Sequence, residues 1–495
     1  MTAVRRVLLL LLGGAAVGLL LGALVGVTTS ILWVAPPALA VGFGLMYSTW
    51  RDPVVGAVVV VAFVPALSGL SRGLVVPAFK VSEVLLMVCV AGLLLSRPRR
   101  WRAVNGVDLA LLLFAVAALC FAVYHASDGS SDLESVLRIG LQPTFLLMTW
   151  WVASRGVERP QDLAVVLRWM LLVSLVPGAL SVLQFFDVAG LDQILIQLTS
   201  DGVLDEGSRT ESTRVTGPFP IWHSVGGYLL VPVVLAATLL LRGDRSVLRR
   251  RWLMLVLLVD LAALVLAVTV TILVWLPVAF LVAAALAGQL RRGSVLLLAM
   301  AAAAVLAFPS VLQERVEEQS TQTSYTAGGV LPQTVEYRIL VWQRDYLPLL
   351  DEAAVAGLGN DPPADVVFTS TENQYITYAL RGGLGLVAAA VLVMGALAVR
   401  SWRHARIPES ARPDEDDPSP ARSGAMVVFG IVLFLPAALM VWPYLTNAGL
   451  SQTLFAFAGA VLALEPRRLT RFAALLAQER REAAEPGRPS QLLQG

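Results

Sequence analysis

The sequence predicts an all-α bundle of membrane-spanning helices on three observations. Of 495 residues, 57% are hydrophobic and only 15% charged, and the mean hydropathy is +0.74, whereas a soluble chain carries roughly a quarter charged residues. Apolar runs of the length needed to cross about 30 Å of hydrocarbon recur from Val7 to Leu464. The basic residues gather in alternate gaps between those runs, as retention of Arg and Lys on the cytoplasmic side of a polytopic protein requires.

About fourteen helices are expected, over 7–27, 31–49, 53–68, 80–95, 108–125, 138–153, 162–185, 222–241, 251–268, 271–288, 293–309, 374–399, 424–443 and 447–464. The pairs 31–49 with 53–68 and 251–268 with 271–288 are short enough to be re-entrant or broken, so about 12–14 segments cross. With the N-terminus inside, most of the 37 Lys and Arg fall in the cytoplasm, among them Arg51, Arg97, Arg155, Arg242, Arg250 and Arg291. Few remain outside: Arg72, Lys80, Arg138, Arg209, Arg214, Arg315, Arg338, Arg344 and Arg381. Residues 1–30 have the Arg5-Arg6 start and apolar core of a signal peptide, but no small-residue cleavage site stands out and the next span follows at once, so retention is expected. One bundle domain over 1–464 is expected, with a disordered cytoplasmic link at 407–423 and a cytoplasmic tail at 465–495 that opens with a surface helix over 469–483.

Several chemistries are not expected. Cys89 and Cys120 sit in apolar runs, and His125, His223 and His404 have no metal-ligand spacing, so neither a metal nor a cofactor is called for. No Gly-rich phosphate loop or Ser/His/Asp order is visible, and no nucleic-acid partner is expected.

Two outside loops, 186–221 and 310–373, are long enough to carry function. The second contains Val335, Ile339, Trp342, Tyr346 and Leu349, spaced as one apolar stripe that would lie on the membrane or on the mouth of the bundle. Beyond it Gln374, Thr377, Tyr378 and Arg381 share one helix face, a polar stripe that takes Arg381 about 12 Å along the axis. A guanidinium at that depth faces a cavity or a partner, unless the helix starts later and the side chain snorkels outward. Glu372 and Asn373 stand just above, where a carboxylate is either a helix cap or a general base. Arg209 and Arg214 precede the tight Gly217-Pro218 entry to the span that opens with Trp222 and His223. Arg338 and Arg344 lie about 120° apart on their helix, and Arg338 matches Trp342 and Asp345 by spacing. Asp260, in mid-span, reads as a proton relay or as a helix-packing hydrogen bond. Lys80 and Glu83 read as a local pair.

Three segments in order resemble the O-antigen ligase and polymerase superfamily of bacterial inner-membrane glycosyltransferases. They are Arg214-Val215-Thr216-Gly217-Pro218-Phe219 leading into Tyr228; Tyr337-Arg338 with Trp342, followed by Gly357-Leu358-Gly359; and Glu372-Asn373-Gln374-Tyr375-Ile376, followed by Arg381-Gly382-Gly383-Leu384-Gly385. The resemblance covers about 214–390 and implies a C-type glycosyltransferase bundle with a large extracytoplasmic loop, in the bacterial plasma membrane with both termini cytoplasmic. It implies a polyprenyl-diphosphate-linked oligosaccharide (undecaprenyl diphosphate as carrier), a glycan acceptor with a sugar hydroxyl, and other envelope-glycan assembly proteins as partners. Arg214, Arg338 and Arg381 would hold the diphosphate, with Arg209, His223, Asn373 and Tyr375 completing the substrate-binding set. Glu372 would take the catalytic position that ligases give to His, which leans toward a polymerase-like member. A transporter or flippase of polyprenyl-linked sugars or other anions is the rival reading, with Asp260 and Arg381 as path charges; a membrane scaffold without activity is the third.

Overall fold

The computed structural model describes residues 35–72, 79–96, 104–127, 129, 140–199, 214–320, 333–359, 371–406 and 419–464. The first expected span, Arg209, most of the acidic link and the tail lie outside them. Among the described residues every expected span from 31–49 onward is a helix, and there is no strand. The helices are α1 Ala35–Arg51, α2 Pro53–Ala66, α3 Val81–Leu95, α4 Gly106–Ser127, α5 Gln142–Gly156, α6 Pro160–Phe185, α7 Leu191–Leu198 and α8 Trp222–Arg242. They continue with α9 Arg250–Leu266, α10 Val270–Leu286, α11 Leu290–Ala307, α12 Pro309–Ser320, α13 Gln333–Val341, α14 Gln374–Ala405, α15 Pro420–Leu439 and α16 Leu450–Val461. Six of them, α4, α6, α8, α11, α14 and α15, are each long and apolar enough to cross a bilayer, and the chain is a helical membrane protein.

Because α8 is apolar on every side, it must be covered on every side. Its residues from Ser224 to Leu239 are all buried, and α6, α9, α10, α15 and α16 pack around it. Small residues set the closest approaches. A Cβ on Gly430 of α15 would collide with the backbone of Ala279 in α10, and next to it the Trp275 indole N–H donates to the Ile431 carbonyl at 3.0 Å. Asp260 is fully buried and accepts a hydrogen bond from Ser174 of α6 at 2.6 Å, which ties α6 to α9.

Local details meet expectation only in part. The α2 segment, expected to be short enough to be re-entrant or broken, is one short helix loosened in the middle: Val64 N–H reaches back five residues to Val59, a π-turn just before Pro65, which has no N–H to give. Helix α15 starts at Pro420, inside the expected link, because extended Ser419 followed by Pro at the first helical position begins a helix. The local pair of Lys80 with Glu83 is present, Lys80 N–H donating to the Glu83 carboxylate at 3.0 Å, and Arg72 adds two bonds of 3.0 and 2.8 Å to the same carboxylate, while the Lys80 ammonium also reaches the Ser68 carbonyl at 3.3 Å.

One end of the bundle is stitched by arginines. Arg242 donates to Ser423 at 2.6 Å, and Arg400 and Arg422 donate to the Leu462 and Ala405 carbonyls at 2.8 and 3.1 Å, groups that helix C-termini leave without partners. The opposite end carries residues 186–199, 214–221, 309–320, 333–359, 371–373 and 440–449.

At that second end α14 is broken. Gly382 and Gly383 leave helical geometry, Gly383 at φ 64° and ψ −169°, a region that a Cβ all but forbids. Leu380 C=O and Leu384 N–H, partners in an unbroken helix, are met from the long loop instead: Leu358 N–H donates to Leu380 at 2.6 Å, and Leu384 N–H donates to Ala354 at 2.9 Å. The Ala356 carbonyl between them accepts from the His125 ring at 2.9 Å. The loop's apolar stripe then packs on the bundle, with Val341, Tyr346 and Ala353 buried against Ile376 and Leu380 of α14. Replacing Gly383 by Ala should cost about 1–3 kcal/mol, because its Cβ would run into the Val355 carbonyl. The expected result is a lower melting temperature and faster proteolysis within 333–359; parent-like proteolysis would show that this clip does not hold the loop.

Candidate functional site

The turn before α14 is built by its neighbours. The Trp342 indole N–H donates to the Thr371 carbonyl at 2.8 Å, and the Thr371 hydroxyl lies 2.5 Å from that of Thr377. Asn373 caps the helix, its Oδ1 accepting from Tyr375 N–H at 2.9 Å and Ile376 N–H at 3.2 Å. Between them Glu372 is held at φ 47°, a left-handed conformation uncommon for a residue with a Cβ. The cap is therefore Asn373, and the Glu372 carboxylate points elsewhere.

It meets Arg338, Nε to Oε2 at 2.8 Å, with side chains 12% and 23% exposed. Asp345, the other acid in reach by spacing, takes Arg344 instead at 2.8 and 3.0 Å, because the helix loosens into a π-turn over Trp342–Tyr346. Burial pushes the Glu372 carboxyl above its usual range, and the Arg338 charge only partly offsets it.

Arg214 is fixed from the other side. Gln184 of α6 accepts from the N–H groups of Thr216 at 3.0 Å and Gly217 at 2.7 Å, and Gly217 turns at φ 54°. This places the Arg214 guanidinium 4.8 Å over the Trp222 ring at the start of α8. The next residue, His223, stacks on Trp442 at 4.0 Å with an interplanar angle of 18° and meets Tyr444 edge-on at 6.3 Å. The charges of Arg338, Arg214 and Arg315 all act on the His223 ring, so guanidinium groups from three separate segments lie within electrostatic reach of it.

The structure thus brings together Arg214, His223, Arg338, Glu372 and Asn373, and adds Arg315, Trp442 and Tyr444. Arg315 carried no signal beyond an outward charge, and Trp442 and Tyr444 read as the end of a span and its connection. Two expected members lie elsewhere. Arg381 lines a separate cavity with Gln142, Pro143, Tyr378 and Thr446, and the Tyr375 hydroxyl donates to the Pro436 carbonyl at 3.0 Å, near the end of α15. The polar stripe on α14 is correspondingly divided: Gln374 accepts from Leu445 N–H at 2.9 Å, while Tyr378 sits edge-on to Phe114 at 5.5 Å. Arg209 lies outside the described residues.

Compared with protein-family models and with curated proteins, the sequence finds no match. Its chemistry is read from the site.

Asn373→Ala should remove two cap bonds and cost about 1 kcal/mol in thermal or denaturant unfolding. An unchanged stability would mean that Thr371 and Trp342 hold the turn without the cap.

Proposed function

We propose that this chain is a membrane glycosyltransferase of the O-antigen ligase and polymerase type, acting outside the plasma membrane. It would transfer a polyprenyl-diphosphate-linked oligosaccharide to a sugar hydroxyl. The observation that carries this reading is the Arg338–Glu372 pair at 2.8 Å at the same end of the bundle as Arg214, held 4.8 Å over Trp222, with Arg315 a third charge within electrostatic reach of the neighbouring His223 ring. Guanidinium groups match the oxygens of a diphosphate in geometry as well as charge.

The charges also fit the reaction. Arg214, Arg315, Arg338 and Glu372 together carry two positive charges, and a sugar diphosphate diester carries two negative ones. As the acceptor oxygen bonds to the anomeric carbon and the bond from that carbon to the phosphate oxygen breaks, the leaving diphosphate gains one negative charge. Glu372 takes the acceptor's proton in the same step, so the four side chains gain one positive charge and the balance is kept. Arg338 links the two events, since it contacts the base and faces the departing group.

Glu372→Gln should lower turnover by roughly 10²–10⁴-fold while donor binding stays within a few-fold, read on the same purified protein as released polyprenyl diphosphate and as a dissociation constant. Parent-like turnover would remove Glu372 from catalysis. A base works only when deprotonated, and burial raises Glu372, so activity should fall on acidification at a pH above the usual carboxylate range. Arg338 holds that carboxyl down, so Arg338→Gln should move this limb to still higher pH; an unmoved limb would assign it to another group. A reporter after residue 340 should face outside and one after residue 245 the cytoplasm, and cytoplasmic access to residue 340 would overturn the orientation.

A further inference from the structure

We propose that Gln374 and Trp442 are further ligand-binding residues of this site, supplying a floor of neutral hydrogen-bond donors to phosphoryl oxygens beneath the arginines. The inference rests on the glycosyltransferase reading and names how that same site holds its diphosphate.

Two buried donors at one junction carry it. Gln374 is fully buried, and its Oε1 is already occupied by Leu445 N–H at 2.9 Å. This fixes the amide with its NH2 turned the other way, and that Nε2 has no partner. Trp442 is 5% exposed, and its indole Nε1 has no partner either. The two belong to one corner, because Trp442 and Leu445 lie on the short connection between α15 and α16, and Trp442 stacks on the His223 ring on which the three guanidinium groups act. Buried donors are almost always bonded in folded proteins.

The kind of partner follows from the kind of group. An indole N–H can only donate, and the amide, with its oxygen taken, presents only its donor side. What completes the corner is therefore an acceptor, in a place where positive charge is already concentrated. A carboxylate offers two coplanar oxygens, whereas a phosphoryl group projects oxygens in several directions, so it can face guanidinium groups on one side and floor donors on the other. Neutral donors add orientation without adding charge, which leaves the balance among Arg214, Arg315, Arg338 and Glu372 intact.

The test uses the full-length protein in lipid nanodiscs, inorganic pyrophosphate as the probe and calorimetry for its dissociation constant. Trp442→Phe keeps an aromatic ring beside His223 and loses the N–H together with the five-membered ring that carries it. Gln374→Glu keeps the acceptor for Leu445 N–H and replaces the donor by a repelling oxygen. Both variants should bind pyrophosphate about tenfold or more weakly, the usual order for a lost hydrogen bond to a charged group. Trp442→Phe should lower the melting temperature on either account, through the buried volume it removes, so binding decides: a purely structural role predicts unchanged pyrophosphate binding. If both variants bind within twofold of the parent while Arg338→Ala binds much more weakly, the floor is refuted and the arginine site stands. If the parent itself does not bind pyrophosphate, or Arg338→Ala binds as the parent does, the diphosphate reading falls and the floor with it.

Discussion

A helix inside a bilayer has no water to satisfy a broken turn, so a break in it must be closed by protein. The rest of this site depends on how α14 meets that constraint. Its break at Gly382–Gly383 is closed by the backbone of Ala354 and Leu358, so the long loop is joined to the helix by the groups the helix needs. Once residues 354–358 are fixed there, the helix before them has little freedom. Tyr346 and Val341 pack on Ile376 and Leu380, Trp342 reaches Thr371, and Arg338, one turn earlier, arrives at Glu372. A loop that hydropathy alone would leave free over the membrane becomes one wall of the site.

The second wall is electrostatic. Like charges repel strongly where little water is present to screen them, so guanidinium groups gathered around His223 cost free energy until an anion arrives. Glu372 offsets part of that repulsion through Arg338, and the Trp222 face accepts the Arg214 guanidinium without adding charge. Three guanidinium groups and one carboxylate leave net positive charge there, and under the proposed function that charge would attract a dianion, with Arg338 already paired to Glu372.

Much of this was legible in the sequence, and the misses have physical causes. Span positions follow from apolar run length, which is a property of consecutive residues, and each described span came out as a helix. Arg214 was singled out by the Gly217-Pro218 entry to its span, Glu372 and Asn373 by their place at a helix start, and Arg338 by its place on the loop helix and the resemblance. Arg381 was read into the same site on the assumption of continuous helical geometry, but its side chain lines the cavity with Gln142 and Thr446. Arg315, Trp442 and Tyr444 reach the site only through tertiary packing, and spacing along the chain says nothing about which ends of separate helices meet. The second partner at Glu83, Arg72 beside the Lys80 backbone, has the same origin: proximity in sequence nominates one partner, and the fold supplies another that is bidentate.

Among the described residues, the non-glycine ones in left-handed conformation, Asp187, Ala189, Val268 and Glu372, all lie at one end of the bundle. Glu372 is held in a left-handed conformation, and Gln374 and Trp442 keep buried donors without partners. A non-glycine residue at positive φ costs of order 1–3 kcal/mol, and a fold tolerates that only where surrounding contacts fix the conformation. Here they do: Asn373 and Thr371 hold the turn on either side, and Trp442 is pressed against His223. The arginine-stitched end shows the contrasting case, with guanidinium groups meeting helix-terminal carbonyls at Leu462 and Ala405. The same residue type therefore closes the fold at one end, where its donors meet backbone, and at the other surrounds a ring and a carboxylate with charge that an incoming anion can use.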